Sequence, residues 1–164
     1  MIASAARCCL VVALALMGGC DDEPATAPDG GPCPGEAWIE LGTGNDPLAY
    51  SPLVDGQDVW IAYGLQGGYH IWGGFRGDGF DPDGVRMQFA LHAGDQVIGG
   101  SDYTDDVRRG ASGDYEYGGV TVFIFDDTSP ESLEGTEVRM SLVLTDACGR
   151  QLDDARTVRA HCCE

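Results

Sequence analysis

The sequence predicts an all-β domain: an antiparallel β-sandwich of immunoglobulin-like or fibronectin-like type, with a jelly roll or small β-barrel as the alternative. Three observations carry this expectation. Apolar residues recur with period two from residue 37 onward. Clusters rich in Gly, Pro, Asp and Asn separate the apolar runs. No segment keeps a helical period over three turns; at most, 130–134 makes one short turn of helix.

The expected strands follow in order. Residues 37–41 (AWIEL) open the domain, and GTGNDP ends that run. Segment 58–63 (DVWIAY) is apolar on both faces, which predicts a strand placed centrally or beneath a loop. Segment 69–76 (YHIWGGFR) follows the glycine-rich loop at 64–68, so 58–76 reads as a hairpin. Alternation along it sends Tyr69, Ile71 and Phe75 one way and His70, Trp72 and Arg76 the other. Segment 85–92 alternates cleanly, with Val85, Met87, Phe89 and Leu91 on a dry face. Residues 95–99 (DQVIG) form a short strand ahead of glycines. Segment 117–125 (YGGVTVFIF) is again apolar on both faces. Segment 137–145 places Val138, Met140, Leu142 and Leu144 on one side, and 152–161 is the last strand.

Ahead of this domain the chain changes character twice. Arg7 is the only charged side chain before Asp21, and residues 8–17 (CCLVVALALM) are apolar. A membrane-spanning helix needs ~20 such residues, so this run fits a secretory signal better. It ends in Leu16-Met17-Gly18-Gly19-Cys20, which resembles a bacterial lipobox. That resemblance implies a lipoprotein signal peptide over 1–19 and a diacylated Cys20. The rival is ordinary cleavage after Ala25-Thr26-Ala27, which would leave Pro28 just past the cut. Two acyl chains suffice for stable anchoring at ~0.8 kcal/mol per buried methylene. Residues 20–36 then form a Pro/Gly-rich acidic linker, and 37–164 is expected to be one domain. The expected place is the extracytoplasmic side of a cell envelope, with inner and outer membrane unresolved.

The net charge of −18 repels nucleic acid and anionic headgroups, so the membrane is reached through the lipid alone. The chain has nine arginines and no lysine, which excludes a P-loop, Schiff-base chemistry and a lysine base.

Within the hairpin, Gly64-Leu65-Gln66-Gly67-Gly68-Tyr69-His70-Ile71-Trp72 follows Asp55-Gly56-Gln57-Asp58-Val59. Here the chain resembles uncharacterised secreted lipoproteins of myxobacterial type. These carry a Gly-x-Gln-Gly-Gly-aromatic-His-Ile/Val-Trp motif after an Asp-Gly-x-x-Val strand. The resemblance implies a sandwich and an envelope location, and no activity.

Catalytic chemistry finds little footing. Gly110-Ala111-Ser112-Gly113-Asp114 lacks the final glycine of a nucleophile elbow. No catalytic residue and no cofactor is expected. Asp78, Asp81 and Asp83 crowd one turn, as Asp102, Asp105 and Asp106 crowd another; they are the weak metal candidates. Calcium favours such oxygens, but DGFDPDG lacks the order of an EF-hand loop, and Asp-Pro and Asp-Gly turns explain it. His161 and Cys163 could share a soft metal, against the better reading of oxidised cysteine. Trp60, Tyr63, Tyr69, Trp72 and Phe75 are expected mainly in the core, their alternative being an exposed sugar or peptide platform.

The leading functional expectation is therefore a non-catalytic binding or adhesion module meeting an envelope protein or glycan. The binding face would be His70, Trp72 and Arg76. A purely structural envelope lipoprotein is the alternative, and a hydrolase with a scattered site is third. Exposure of His70 and Trp72 favours the first; their full burial favours the second.

Cys33, Cys148, Cys162 and Cys163 remain after the signal and anchor are set aside. Cys148 precedes Cys162 by about 14 residues, ~45 Å of extended strand, whereas a disulfide needs Cα atoms within ~7 Å. A Cys33–Cys148 bond is therefore expected, with Cys162 inward and Cys163 outward. A Cys33 link to Cys162 or Cys163 is the runner-up.

Overall fold

A computed structural model of the chain describes residues 35–45, 49–65 and 67–163. The lipobox, Cys20, Cys33 and most of the linker lie outside the described residues. The strands are β1 (Trp38–Thr43), β2 (Ser51–Pro52), β3 (Asp58–Trp60), β4 (Ala62–Tyr63), β5 (Tyr69–Asp78) and β6 (Val85–Ala93). They continue as β7 (Gln96–Asp105), β8 (Arg108–Arg109), β9 (Tyr115–Ile124), β10 (Glu137–Thr145) and β11 (Gln151–His161). One 3₁₀ turn, Pro130–Leu133, stands where a short helical turn is expected. Among the described residues no helix is long and apolar enough to cross a membrane.

The strands run β2-β1-β5-β9-β7-β6-β10-β11-β3, with β4 on β5 and β8 on β9. All pairings are antiparallel except β3 with β11. This path folds into two layers, β1-β5-β9 against β7-β6-β10-β11. That is the A-B-E against C′-C-F-G order of an immunoglobulin-like sandwich. β9 and β7 share ladder positions at Gly99↔Ile124 and Gly100↔Phe123, beyond which side chains such as Ser101 and Tyr103 reach across to the Thr121 carbonyl. Glycine is required at this corner: a Cβ on Gly99 would run into the Phe123 carbonyl oxygen. The strand expected over 95–99 in fact continues to Asp105, and the glycines there serve close backbone approach.

The opposite side is closed by 58–63. β3 lies parallel on β11 and β4 antiparallel on β5, so the expected single strand breaks at Ile61. The Ile61 N–H donates to the His161 carbonyl (2.8 Å), and its side chain is fully buried. The chain thus crosses from one layer to the other.

The core fills as the period-two pattern requires. Val85, Met87 and Leu91 of β6 and Val138, Met140, Leu142 and Leu144 of β10 are fully buried. From β5 come Ile71 and Phe75; the Phe75 ring stacks on Tyr117 at 6.3 Å and tilts against Phe80 at 6.2 Å.

The turn between β10 and β11 is tied by charge. The buried Asp146 carboxylate accepts from the Arg150 backbone N–H (2.9 Å) and pairs with its guanidinium (2.9 Å). Arg150 also donates to the carbonyls of Gly35 (2.6 Å) and Gly79 (2.7 Å), which fastens this turn to the start of the domain. Cys148, within the same turn, is disulfide-bonded. Cys162 and Cys163 are joined to each other. Peptide mapping without reductant is expected to yield a Cys33–Cys148 peptide, because Gly35 is held against the turn that carries Cys148. Recovery of Cys33 on a C-terminal peptide would contradict it.

Candidate functional site: an aromatic groove on the outer face of the first layer

Alternation along β5 turns His70, Trp72 and Arg76 away from the core, as the sequence predicts. What covers them is set by register. His70 lies between Ala62 of β4 and Phe123 of β9, and Trp72 lies opposite Thr121. The β4–β5 turn folds over this end of β5, with the Gly64 N–H donating to the Gly68 carbonyl (2.9 Å). Gly67 and Gly68 take φ of 88° and 89°, a region that favours glycine.

The result is a groove of about 350 Å³. His70 forms part of its wall and is only 3% exposed. Neither imidazole nitrogen has a hydrogen-bond partner. The ring meets Trp72 edge-on at 4.5 Å and lies 6.3 Å from Phe123. Burial pushes its pKa down, so the imidazole is neutral at pH 7. It therefore offers one donor and one acceptor. Around it Tyr63 (61%), Leu65 (108%) and Phe123 (40%) stand exposed, and Trp72 is half-buried.

The aromatic cluster does not go to the core as a unit. Phe75 is core, Tyr69 is half-buried, and Trp60 and Tyr63 are exposed. Nor is His70–Trp72 simply exposed or buried: one ring is enclosed and the other borders the groove. Segments 58–63 and 119–125 are apolar on both faces because one face meets the core and the other builds this surface. That double apolarity was the available signal for Phe123; Leu65, in the loop at 64–68, had none.

Arg76 shares the face but not the groove. Its Nε donates to Glu40 (2.7 Å) on β1, and its guanidinium sits over the Tyr50 ring at 5.5 Å. The expected His70, Trp72, Arg76 surface therefore divides into a groove and an ion pair.

Of the crowded acids, Asp81 and Asp106 are turn acceptors, while Asp78 lies in β5 and Asp102 and Asp105 lie in β7 rather than in the expected turn. Asp81 accepts the Asp83 backbone N–H (3.2 Å), Asp106 accepts that of Gly84 (2.8 Å), and Asp78 pairs with Arg109 (3.5 Å). Asp102 accepts from Arg86 at 2.5 Å, and this contact holds its carboxyl below the usual range. Ser112, in the incomplete elbow, gives its hydroxyl to Glu116 (2.7 Å). A Glu131 carboxylate oxygen and the sulfurs of Cys162 and Cys163 lie within 4.8 Å of one another, but both sulfurs are committed to the disulfide.

His161 does not turn toward Cys163. Its Nδ1 lies 2.9 Å from Glu134 and its Nε2 3.0 Å from Asp58. The Glu134 hydrogen bond, then that of Asp58, raises its pKa. The two histidines thus act in opposite senses. A raised pKa adds stability that is present below about pH 6.5 and lost as pH climbs through the folded value; a lowered one adds stability present above about pH 6.5 and lost on acidification. Melting curves should show the His161→Gln deficit growing as pH falls from above the raised value toward about 6.5 and levelling off below it. His70→Phe should instead remove part of the loss on acidification. A pH-independent deficit in His161→Gln would refute the ion-pair account.

No protein-family model matches the chain, and no curated protein matches it. Among solved structures, an engineered protein is similar at 17% identity with a TM-score of 0.41. The match covers 80% of this chain and 21% of that one, so the chain spans about a fifth of the engineered protein's length.

Proposed function

We propose that this protein is a non-catalytic binding module, held by a lipid on Cys20 at the extracytoplasmic side of a cell envelope. Its ligand site is the groove beside His70 and Trp72. The observation that carries this reading is the exposure of Tyr63, Leu65 and Phe123 around a buried imidazole without partners. Exposed apolar side chains clustered at a groove have no part in folding a sandwich whose core is already filled. Concave, mostly apolar sites with a few polar groups are the usual form of ligand sites. Turns at the end of a rigid sandwich position them well. The lipobox at Leu16–Cys20 and the acidic linker support the location, since a tether leaves the groove free to meet an envelope component.

The groove is tested by Phe123→Ser in the full-length, detergent-solubilised protein. The variant should keep the wild-type melting temperature and lose retention of its envelope component. Equal retention would favour a structural lipoprotein with no ligand. The anchor is tested separately. The wild type should incorporate labelled palmitate and partition into detergent, and Cys20→Ala should do neither. A processed Cys20→Ala protein that stays membrane-bound would disprove the anchor.

A further inference from the structure

The groove restricts the chemistry of its occupant. Among the described residues its lining carries no charged side chain. The chain around it carries a net charge of −18. An anionic ligand is repelled by that field and finds no cation in the groove. A cationic ligand finds no carboxylate there. A wholly apolar occupant, such as an acyl chain, would leave both His70 nitrogens, already out of solvent, without a partner, whereas a hydroxyl-bearing one can relieve them.

An uncharged carbohydrate meets all three conditions. Its C–H faces lie flat on aromatic rings, and its hydroxyls both donate and accept. Such a hydroxyl can serve His70 in either tautomer. The surface also extends past one sugar unit. Trp72 is shared with a second groove of about 240 Å³, where Trp60 stands 52% exposed beside Gln57 and Asp58. One aromatic wall thus runs from Phe123 and Tyr63 across Trp72 to Trp60, with Gln57 at its far end beside an Asp58 carboxylate already paired with His161.

We infer that the ligand is an uncharged oligosaccharide chain, laid along this strip with His70 as its hydrogen-bonding group and Trp72 between two sugar positions. The inference rests on the binding-module reading and names its ligand class.

The experiment uses the full-length protein in detergent. It is applied to a printed array of uncharged and anionic oligosaccharides, and titrated in solution with the β-1,4-linked tetramers of N-acetylglucosamine and of glucose. Tryptophan fluorescence and calorimetry are the readouts. Uncharged chains should bind saturably and shift the tryptophan emission. Trp72→Ala should weaken binding about tenfold or more. Trp60→Ala should weaken tetramers more than monosaccharides. Because His70 is buried, His70→Phe is read beside Phe123→Ala, whose surface position spares the fold. Both should lose affinity, Phe123→Ala at unchanged melting temperature. Preference for anionic chains, or no binding by any uncharged one, overturns the inference. If an envelope protein is then still retained and lost in Phe123→Ser, the binding module stands and its ligand is not a glycan. If Phe123→Ser changes nothing either, both readings fall.

Discussion

Replacing Phe75 by alanine is expected to cost about 4 kcal/mol of unfolding free energy, within the range of ~3–5 kcal/mol for a buried aromatic. Phe75 is fully buried on β5, stacked on Tyr117 and tilted against Phe80. The loss has two parts: the transfer energy of the ring, and the cavity left between β5, β9 and the Phe80 turn. β5 is hydrogen-bonded on both sides, to β1 and to β9, so the backbone has little freedom to collapse into the gap. A domain of this size should melt roughly 10–20 °C lower. Native stabilities are about 5–15 kcal/mol, so a measurable unfolded fraction would appear in the weaker part of that range. Calorimetric melting and urea titration check the figure. A loss under about 1.5 kcal/mol would mean that the two layers close over the cavity, and that the core is less tightly determined than its burial implies. Phe75→Leu should lose clearly less.

Asp146→Ala is expected to cost ~3 kcal/mol. That is the low end for a broken buried ion pair, because Arg150 keeps 27% of its side chain in solvent while the Asp146 side chain has none. The carboxylate accepts from the Arg150 backbone and guanidinium together, and Arg150 in turn holds the Gly35 and Gly79 carbonyls. Its removal loosens three segments that are far apart in sequence. The defect lies at the end of β5 remote from His70, so ligand retention below the melting transition should be unchanged. Asp146→Asn should recover part of the loss by keeping the backbone acceptor. If Asp146→Ala melts like the wild type, the turn is held by the Cys148 disulfide alone. Repeating the melt with reductant separates these contributions.

Much of the fold was legible because its signals are local. Clean alternation on β6 and β10 named every buried residue of those strands. Aspartates beside proline and glycine marked turns, which they close by accepting nearby backbone N–H groups. The division of β5 into an inward face with Phe75 and an outward face with His70 and Trp72 followed from the pleat. β2 and β8 were not anticipated, since two-residue pairings carry no periodicity of their own. The division of 58–63 at Ile61 was equally hidden: a strand's sequence does not say that its halves pair with different layers.

The candidate site was half legible. His70 and Trp72 stood out by composition and placement, while Arg76 was grouped with them only by parity. An ion pair with Glu40 across β1 takes it out of the groove, and that pairing depends on register between strands far apart in sequence. Phe123 and Leu65 were absent from the expected face; the run VTVFIF contained the clue to Phe123, whereas Leu65 sits in a loop whose sequence carries no facing signal.

By itself the sequence determined an all-β domain and the face on which each β5 side chain emerges. Each depends on residue type and spacing over a few positions. The tertiary structure alone decided what lies against the second apolar face of 58–63 and 119–125. Periodicity says that a face is apolar; only non-local register says whether protein covers it. Here β4 and β9 come together around His70, closing over the imidazole while leaving Tyr63, Leu65 and Phe123 in solvent. A segment that reads as doubly buried thereby becomes one wall of a groove.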